Sequence, residues 1–345
     1  MNKTCIIGAS GYTGAELIKL INRHPILELR ACYVSEHSNF AGKTLAQVHE
    51  QLSGDDKLAQ LGTMIAFNES MLDNIANEFD HIFLATPHEF SHDYLPSLLN
   101  GQANVYDLSG AFRLTNPQIF ETYYGFEHKH HNALKQAVYG LAEWHAQLIQ
   151  NAKFIAVPGC YPTASLLALK PLISANLLAN NSLPVINATS GVSGAGRKAS
   201  VTTSFQEVSL QAYGVLQHRH MPEIEEYANQ QVVFTPHLGA FKRGILATLT
   251  CFLKPSVSLE DIDNAYNRAY QNQPLIRLLP TMPKLDNVVH TPYCDIAYVY
   301  SAEKNCIVVT SAIDNLLKGA ASQAIQCCNL KMGDIQGITQ ETGLI

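Results

Sequence analysis

A glycine-rich loop lies close to the amino terminus, between a short apolar segment and an amphipathic one. Thr4-Cys5-Ile6-Ile7 predicts a buried strand, and residues 15–22 carry apolar side chains at helical spacing. Between them, a tight loop would bring backbone N–H groups to a pyrophosphate at the positive end of the helix. The spacing, G-x-x-G-x-x-G, departs from the commoner G-x-G-x-x-G. The expected cofactor contacts in this loop are Gly8, Ser10, Gly11, Tyr12, Thr13 and Gly14.

Further apolar segments continue the strand and helix alternation. Residues 27–34, 80–86 and 103–108 are typical of buried strands, and the segment from Tyr94 to Leu99 between two of them is helical in pattern. This alternation predicts a parallel, doubly wound sheet of the Rossmann type, with its ligand at the carboxyl ends of the strands.

The residues after the second strand leave the choice of cofactor open. Glu36 would accept hydrogen bonds from the ribose of NAD. Alternatively, Ser35, Ser38 and Lys43 would hold the additional phosphate of NADP. The residues alone do not decide between the two.

A cysteine stands where the apolar segment 154–157 meets a helical pattern, in the sequence Val157-Pro158-Gly159-Cys160. A thiol at a helix amino terminus is biased towards the nucleophilic thiolate, because unpaired N–H groups and peptide dipoles favour an anion there. The alternative is an inert, buried thiol. The context makes Cys160 the candidate nucleophile.

Two segments offer binding groups for anions. Arg113 follows a strand end and carries a guanidinium fork suited to phosphate or carboxylate. The glycine-rich loop from Ser190 to Lys198 predicts a backbone nest for an oxyanion, with Ser193, Gly194 and Arg197 as contacts. The alternatives are a surface arginine and a flexible surface loop.

The segment His218-Arg219-His220-Met221-Pro222-Glu223 supplies candidate proton donors and acceptors. A histidine paired with a thiol commonly moves the proton in acyl chemistry, and Glu223 is close enough in sequence to orient one imidazole. Zinc bound by the H-x-H pair and the carboxylate is one alternative, although no further ligand is evident. Surface histidines are another. We therefore expect no metal.

The second half of the chain predicts a different architecture. Strand-like segments at 232–235, 245–250, 294–300 and 306–310 lack helices between several of them, which favours an α+β domain. Residues 259–272 predict an amphipathic helix capped by Ser258, and Asp314 opens a last helix running to about Cys328. The domain change falls near Val157.

Composition excludes several classes of protein. The net charge of −6 and the absence of basic runs argue against nucleic acid as a partner. No segment has the roughly 20 apolar residues that span a bilayer. Eight cysteines without a C-x-x-C pair favour reduced thiols and a cytoplasmic location.

Taken together, these motifs resemble the N-acetyl-gamma-glutamyl-phosphate reductase family over nearly the whole chain. The motifs that carry the resemblance are the Gly8–Gly14 loop, Asp107–Arg113, Tyr139-Gly140-Leu141, Val157–Thr163, Ser190–Lys198, His218–Ile224 and Asp314–Ala321. The cysteine and H-R-H-x-P-E-I motifs are the most specific.

The resemblance implies an NADP(H)-binding domain at 1–157 and 311–345, and a semialdehyde-dehydrogenase-like catalytic and oligomerisation domain at 158–310. It also implies Cys160 as nucleophile, His220 as acid and base, and Glu223 as its orienter. His218 and Arg113 would contact the substrate, together with the loop of Ser193, Gly194 and Arg197, and Asn315 would contact NADP. Many family members carry an arginine near Ser35–Ser38, which this chain lacks.

The implied activity is the NADPH-dependent reduction of an acyl phosphate in arginine biosynthesis, by a homodimer or homotetramer. Two alternatives stay open. Aspartate-semialdehyde dehydrogenase shares the chemistry but acts on a shorter substrate with a free amine. A non-catalytic regulator that senses NADP is the other.

Overall fold

A computed structural model describes residues 1–333 of the chain. Two compact units are present. Unit 1 contains Met1–Glu121, Phe126–Pro158 and the described residues from Ala320 onwards, and unit 2 contains Thr122–Gly125 and Gly159–Gly319. The functional domain boundaries at 157/158 and 310/311 remain predictions, and residues 334–345 of the predicted segment 311–345 lie outside the described residues.

Unit 1 is built on a seven-stranded parallel sheet, as the sequence predicts. Its order is β3-β2-β1-β4-β5-β7-β6, and each described pairing is parallel. The doubly wound fold class is thereby confirmed. The strands are β1 (Asn2–Ile7), β2 (Leu27–Val34), β3 (Ile65–Ala66), β4 (His81–Leu84), β5 (Asn104–Asp107), β6 (Val138–Tyr139) and β7 (Phe154–Ala156).

Helices connect these strands. The central strand β4 is buried along its whole length and β1 over its last four residues, in agreement with the apolar sequence of these parts. The core beneath them includes Ile7, Ile82 and Leu84. The helices are α1 (Tyr12–Arg23), α2 (Leu45–Val48), α3 (Asp56–Ala59), α4 (Leu72–Glu78), α5 (His88–Leu98), α6 (Pro117–Tyr124), α7 (His131–Gln136) and α8 (Ala142–Asn151).

Unit 2 contains a mixed seven-stranded sheet, in agreement with the α+β expectation. Its order is β12-β13-β14-β11-β8-β10-β9. The predicted final antiparallel pair is confirmed as β13 and β14. The strands are β8 (Val185–Gly191), β9 (Gln211–Ala212), β10 (Val233–Gly239), β11 (Ile245–Phe252), β12 (Ile276–Leu278), β13 (Cys294–Ser301) and β14 (Cys306–Ile313).

Three helices belong to unit 2: α9 (Cys160–Ser174), α10 (His220–Ala228) and α11 (Leu259–Tyr270). The predicted cap of α11 is confirmed, because the Ser258 hydroxyl accepts the N–H of Asp261 in a capping box. Pro162 lies in the first turn of α9, where its missing N–H costs nothing. Gly159 caps this helix with extended backbone, so α9 begins at Cys160.

The predicted start of the last helix at Asp314 is wrong. The Asp314 carboxylate accepts the N–H groups of Leu316 and Leu317 at 2.8 and 2.9 Å, which turns the chain before any helix begins. A π-helical turn, Leu317–Ala321, follows. The α-helix proper is α12 (Ser322–Lys331), which packs in unit 1 against α1 and α8.

No helix among residues 1–333 is both long and apolar enough to cross a membrane.

Candidate active site

The glycine loop of unit 1 has the shape of a cradle for a dinucleotide. Gly8 has a φ of +94°, and a Cβ added there would lie 2.2 Å from the carbonyl oxygen of Ala85. A Cβ on Gly14 would lie 2.6 Å from the Gly8 oxygen. Gly11 caps α1 and has no comparably close neighbour. The loop therefore brings bare backbone to the amino end of α1, and its residues fit the pyrophosphate of the expected cofactor.

The other predicted contacts of the cofactor loop lie around the start of α1. Tyr12 is the first residue of the helix and is 40% exposed, so its ring is available to a ligand. Thr13 follows it on the same turn, and Ser10 precedes the cap residue Gly11. All three are thus placed at the helix end where the dipole favours an anion.

Ser35 and Ser38 form a turn directly after β2. The N–H of Ser38 donates to the Ser35 carbonyl at 2.9 Å, and the Ser38 hydroxyl accepts the N–H of Phe40. Glu36 is exposed and accepts a hydrogen bond from Asn68 at 3.3 Å. The turn therefore presents both serines and the acid near the strand end, as the sequence predicts.

Arg113 is almost completely buried, with 5% of its surface exposed. Its Nε donates to the Val157 carbonyl at 2.8 Å, and Nη2 donates to the Leu108 carbonyl at 2.7 Å. These carbonyls follow β7 and β5. The guanidinium thus connects the carboxyl ends of β5 and β7 in unit 1, a structural role that the sequence does not indicate.

Cys160 is the first residue of α9 and is partly exposed, whereas six of the other seven cysteines are buried. All eight are free thiols. The preceding residue, Gly159, is held through both its N–H and its carbonyl. Its N–H donates to the Glu223 carboxylate at 2.8 Å, and its carbonyl accepts the Thr163 hydroxyl at 2.9 Å. The turn before Cys160 is therefore fixed by side chains.

Glu223 lies one turn into α10 and is fully buried. The sequence predicts that it orients a histidine, and the bond to Gly159 connects it directly to the turn that precedes Cys160. A buried carboxylate that accepts a backbone N–H holds its partner tightly, since the alternative leaves a buried group unpaired.

His218 and His220 lie close together beside α9, the helix that begins at Cys160. Their ring centroids are 4.9 Å apart, and the Tyr161 ring is 5.6 and 5.9 Å from them respectively. Nδ1 of His218 accepts the backbone N–H of His220, so a neutral His218 carries its proton on Nε2. Burial, and then the nearby Arg219 charge, lower the pKa of His218 to about 4. His218 is thus a neutral donor near pH 7.

The loop after β8 differs from the predicted nest. The N–H groups of Gly191, Val192 and Ser193 donate to carbonyls of the facing segment 241–244. These three groups therefore do not point at an anion. Gly194 lines a cavity, as described below, and Arg197 is exposed.

Asn315 connects two segments of unit 2. Its Oδ1 accepts the N–H of Gly244 at 2.7 Å, and its Nδ2 donates to the Ser193 hydroxyl at 3.0 Å. The side chain expected to contact the cofactor thus also holds the loop expected to contact the substrate.

A cavity of about 480 Å³ in unit 2 brings several of the predicted residues together. Cys160, His218, His220 and Gly194 share its wall. None of its described lining residues is Asp or Glu, and Arg219 is the cation among them. The neutral remainder includes Tyr123, Tyr161, Ser190, Gln211, Tyr213 and Gln217. The cavity is therefore suited to a neutral or anionic ligand.

Comparisons with known proteins place this site in a family. Residues 3–152 match the model of the semialdehyde dehydrogenase NAD-binding domain, and residues 160–315 match that of the semialdehyde dehydrogenase dimerisation domain. N-acetyl-gamma-glutamyl-phosphate reductase of Pseudoalteromonas atlantica is 59% identical over 96% of both chains. The enzyme of the same name from Pasteurella multocida is 52% identical over the full length of both.

The chain belongs to the N-acetyl-gamma-glutamyl-phosphate reductase family. It is accordingly an oxidoreductase of the semialdehyde dehydrogenase type, and the match to the dimerisation domain supports self-association.

The family fold extends to distant solved structures. Aspartate semialdehyde dehydrogenase II of Vibrio cholerae superposes with a TM-score of 0.71 at 18% identity, covering 97% of this chain and 99% of that one. The Candida albicans aspartate semialdehyde dehydrogenase, solved with NADP, gives 0.69 at 15% identity, covering 98% and 100%. At these identities the likeness shows the fold alone.

The aromatic wall of the cavity is a feature that sequence reasoning missed. The Tyr213 hydroxyl donates to that of Tyr161 at 3.2 Å, and the latter donates to the His237 carbonyl at 2.9 Å. Burial raises the pKa of Tyr161, so this hydroxyl stays protonated. Tyr161 directly follows the candidate nucleophile Cys160, a signal that could have found it, whereas nothing local marks Tyr213.

The side chains of the histidine motif, His218, His220 and Glu223, are not among the described groups close enough to share a metal ion. Within residues 1–333, the side chains close enough to share an ion are His92, Asp93 and His130. Nε2 of His92 faces the N–H of Lys129 at 3.1 Å, and Nδ1 lies 2.8 Å from Asp93. His92 therefore holds its proton on Nδ1, where a metal would need the lone pair.

Proposed function

We propose that this chain catalyses the NADPH-dependent reduction of N-acetyl-L-glutamyl 5-phosphate to N-acetyl-L-glutamate 5-semialdehyde and phosphate, a step of arginine biosynthesis. The observation that carries the proposal is the partly exposed Cys160 at the amino end of α9, on one cavity wall with His218 and His220. Relatives of this name are 52–59% identical over nearly the whole chain.

Cys160 begins the reaction as a thiolate. Its sulfur attacks the acyl carbonyl carbon, a C–S bond forms, and the C–O bond to phosphate breaks so that phosphate leaves with the electron pair. We assign the stabilisation of the negative charge that develops on the carbonyl oxygen to the backbone N–H of Cys160, at the start of α9.

The second half of the reaction reduces the thioester. NADPH, held by the Gly8–Gly14 loop, supplies the hydride when bound. His220 provides the proton to the developing oxyanion and removes it again when the C–S bond breaks, which releases the aldehyde and the Cys160 thiolate. His218 is neutral near pH 7, and its Nε2–H donates to a substrate oxygen.

Two kinds of group recognise the substrate: those that bind its anionic groups and the neutral polar groups that bind its N-acetyl amide. We assign the anionic groups of the substrate to the Ser193 hydroxyl, the Gly194 backbone and the Arg197 guanidinium. The N–H groups of residues 191–193 are bonded to the facing segment 241–244 and take no part. The neutral lining of the cavity suits the N-acetyl amide, because a free ammonium would require a carboxylate that the described lining residues lack. This feature favours the acetylated substrate over aspartate semialdehyde.

The proposal extends to the assembly and the location. A homodimer or homotetramer in the cytoplasm agrees with the matched dimerisation domain and with eight free thiols. Light scattering on the purified chain distinguishes the two assemblies from a monomer.

The test runs the reaction in reverse, with N-acetylglutamate semialdehyde, NADP and phosphate, and follows NADPH absorbance. Parallel reactions replace NADP with NAD, or the substrate with aspartate semialdehyde. Phosphate-dependent NADPH formation with the acetylated substrate supports the proposal. A signal with aspartate semialdehyde alone would transfer the assignment to that dehydrogenase, and NADPH binding without any turnover would revive the regulator.

A further inference from the structure

Gly319 lies against the nucleophile. A Cβ added to this glycine would be 2.7 Å from Cβ of Cys160 and 3.2 Å from its Cα. Carbon atoms in good contact are about 3.5–4.0 Å apart. Any side chain at position 319 would therefore force Cys160, or the segment that carries Gly319, to move.

The segment that carries Gly319 is firmly attached within unit 2. Gly319 belongs to the π-helical turn Leu317–Ala321, and its N–H donates to the Asp314 carbonyl at 2.9 Å. The buried Asp314 carboxylate accepts Nε of Arg243 at 2.6 Å and the N–H of His290 at 2.7 Å. The turn consequently offers little freedom to retreat from Cys160.

The nucleophile cannot easily retreat either. The preceding residue, Gly159, is held through its N–H by Glu223 and through its carbonyl by Thr163. Cys160 is thus confined on one side by the fixed backbone of Gly159 and on the other by the bare backbone of Gly319.

We propose that Gly319 is a positioning residue for the nucleophile: the absence of a side chain there sets the place of the Cys160 thiol. The inference rests on the proposed function, because in that function the Cys160 thiol is the group that attacks the substrate. The π-helical turn agrees with such a role, because single π-turns occur frequently at functional sites.

The test substitutes Gly319→Ala in the full chain and measures two properties. The first is the rate of Cys160 alkylation by iodoacetamide across a pH range, with the modified site identified by mass spectrometry. The second is turnover of the acyl phosphate. We expect the alkylation profile to shift and kcat to fall about 10- to 100-fold, as for a reacting group displaced by up to an ångström, while the KM for NADPH stays close to that of the wild type.

Gly140→Ala is the matched control. A Cβ at Gly140 would be 2.7 Å from Cγ2 of Ile155, an equally close contact in unit 1. This variant should lose thermal stability while the alkylation profile of Cys160 is unchanged. If Gly319→Ala does not fold, it is combined with Ile313→Val, which removes the third contact, Cδ1 of Ile313 at 3.3 Å.

Wild-type alkylation and kcat in a folded Gly319→Ala variant would overturn the proposal. The same change in Gly140→Ala would also overturn it, because the effect would then follow from stability. Alkylation needs no substrate, so failure of the proposed function, seen as no turnover by the wild type, is distinguished from failure of this inference.

Discussion

The carboxylate of Glu223 accepts the backbone N–H of Gly159, the residue that precedes Cys160, at 2.8 Å. Through this bond α10 determines where α9 begins. The histidine motif at the start of α10 and the turn before Cys160 are therefore directly connected, although about sixty residues of chain separate them.

Glu223→Ala removes the acceptor and leaves the Gly159 N–H buried without this partner. The expected cost is roughly 1–3 kcal/mol in the free energy of unfolding, with a lower kcat because the Cys160 turn loosens. Glu223→Gln keeps an acceptor oxygen and should lose much less stability. Urea denaturation and steady-state kinetics measure both. Equal loss of stability in the two variants would contradict a role through Gly159.

Asn315→Ala removes the bonds to Gly244 and Ser193 together. We expect the KM of the acyl phosphate to rise about tenfold, equivalent to about 1.4 kcal/mol, because the Ser193 loop is released. Asn315→Asp keeps the acceptor for Gly244 and should have a smaller effect. If both variants instead raise the KM for NADPH alone, the side chain acts on the cofactor, as the family resemblance implies.

Acid should destabilise the protein through its buried histidines. Burial is the main cause that lowers the pKa of His81, His128 and His218 to about 4. In the unfolded chain these groups titrate near 6.5. The unfolded state thus binds protons first, and stability present above about pH 6.5 is lost as the pH falls towards 4.

Thermal unfolding between about pH 7.5 and pH 5 measures this loss. His128 is 1% exposed and its Nε2–H donates to the Ala111 carbonyl, so His128→Asn should reduce the dependence on pH. His37→Asn, at an exposed position, serves as the control. An unchanged pH dependence in His128→Asn would show that this histidine does not carry the effect.

Cys160→Ser should abolish turnover while NADPH still binds. A serine hydroxyl is a much weaker nucleophile near pH 7, and the cofactor loop belongs to unit 1 whereas Cys160 belongs to unit 2. Fluorescence of bound NADPH and the turnover assay test the two statements. Cys306→Ser, at the other partly exposed cysteine, should keep its activity. Wild-type turnover in Cys160→Ser would exclude Cys160 as the nucleophile.

The fold could largely be predicted from the sequence because local patterns determine it. The continuous apolar runs of β1 and β4 and the capping box at Ser258 each point to one structure. Short strands such as β3, with two residues, carry no such pattern. The last helix begins later than the pattern predicts because the Asp314 carboxylate turns the chain by accepting the N–H groups of Leu316 and Leu317. The Asp314 and Asn315 side chains also accept the N–H groups of His290 and Gly244, and sequence spacing does not reveal these distant contacts.

The sequence indicates which residues lie at the candidate site, but it indicates few of the contacts that hold them there. Cys160, His218 and His220 share one cavity, as their chemistry suggests. Arg113 donates hydrogen bonds to the carbonyls of Leu108 and Val157, which are 5 and 44 residues away in the sequence. Sequence spacing alone does not reveal that these carbonyls converge on one guanidinium. The contact between Gly319 and Cys160 likewise exists only in the folded chain.

The covalent intermediate on Cys160 tests the central claim most directly. The enzyme is mixed with N-acetyl-L-glutamyl 5-phosphate in the absence of NADPH, released phosphate is measured, and the Cys160 peptide is analysed by mass spectrometry. We predict a burst of one phosphate per active site, an acyl group on Cys160, and its discharge as aldehyde when NADPH is added. Phosphate release only after NADPH is added, with Cys160 unmodified, would contradict the thioester mechanism.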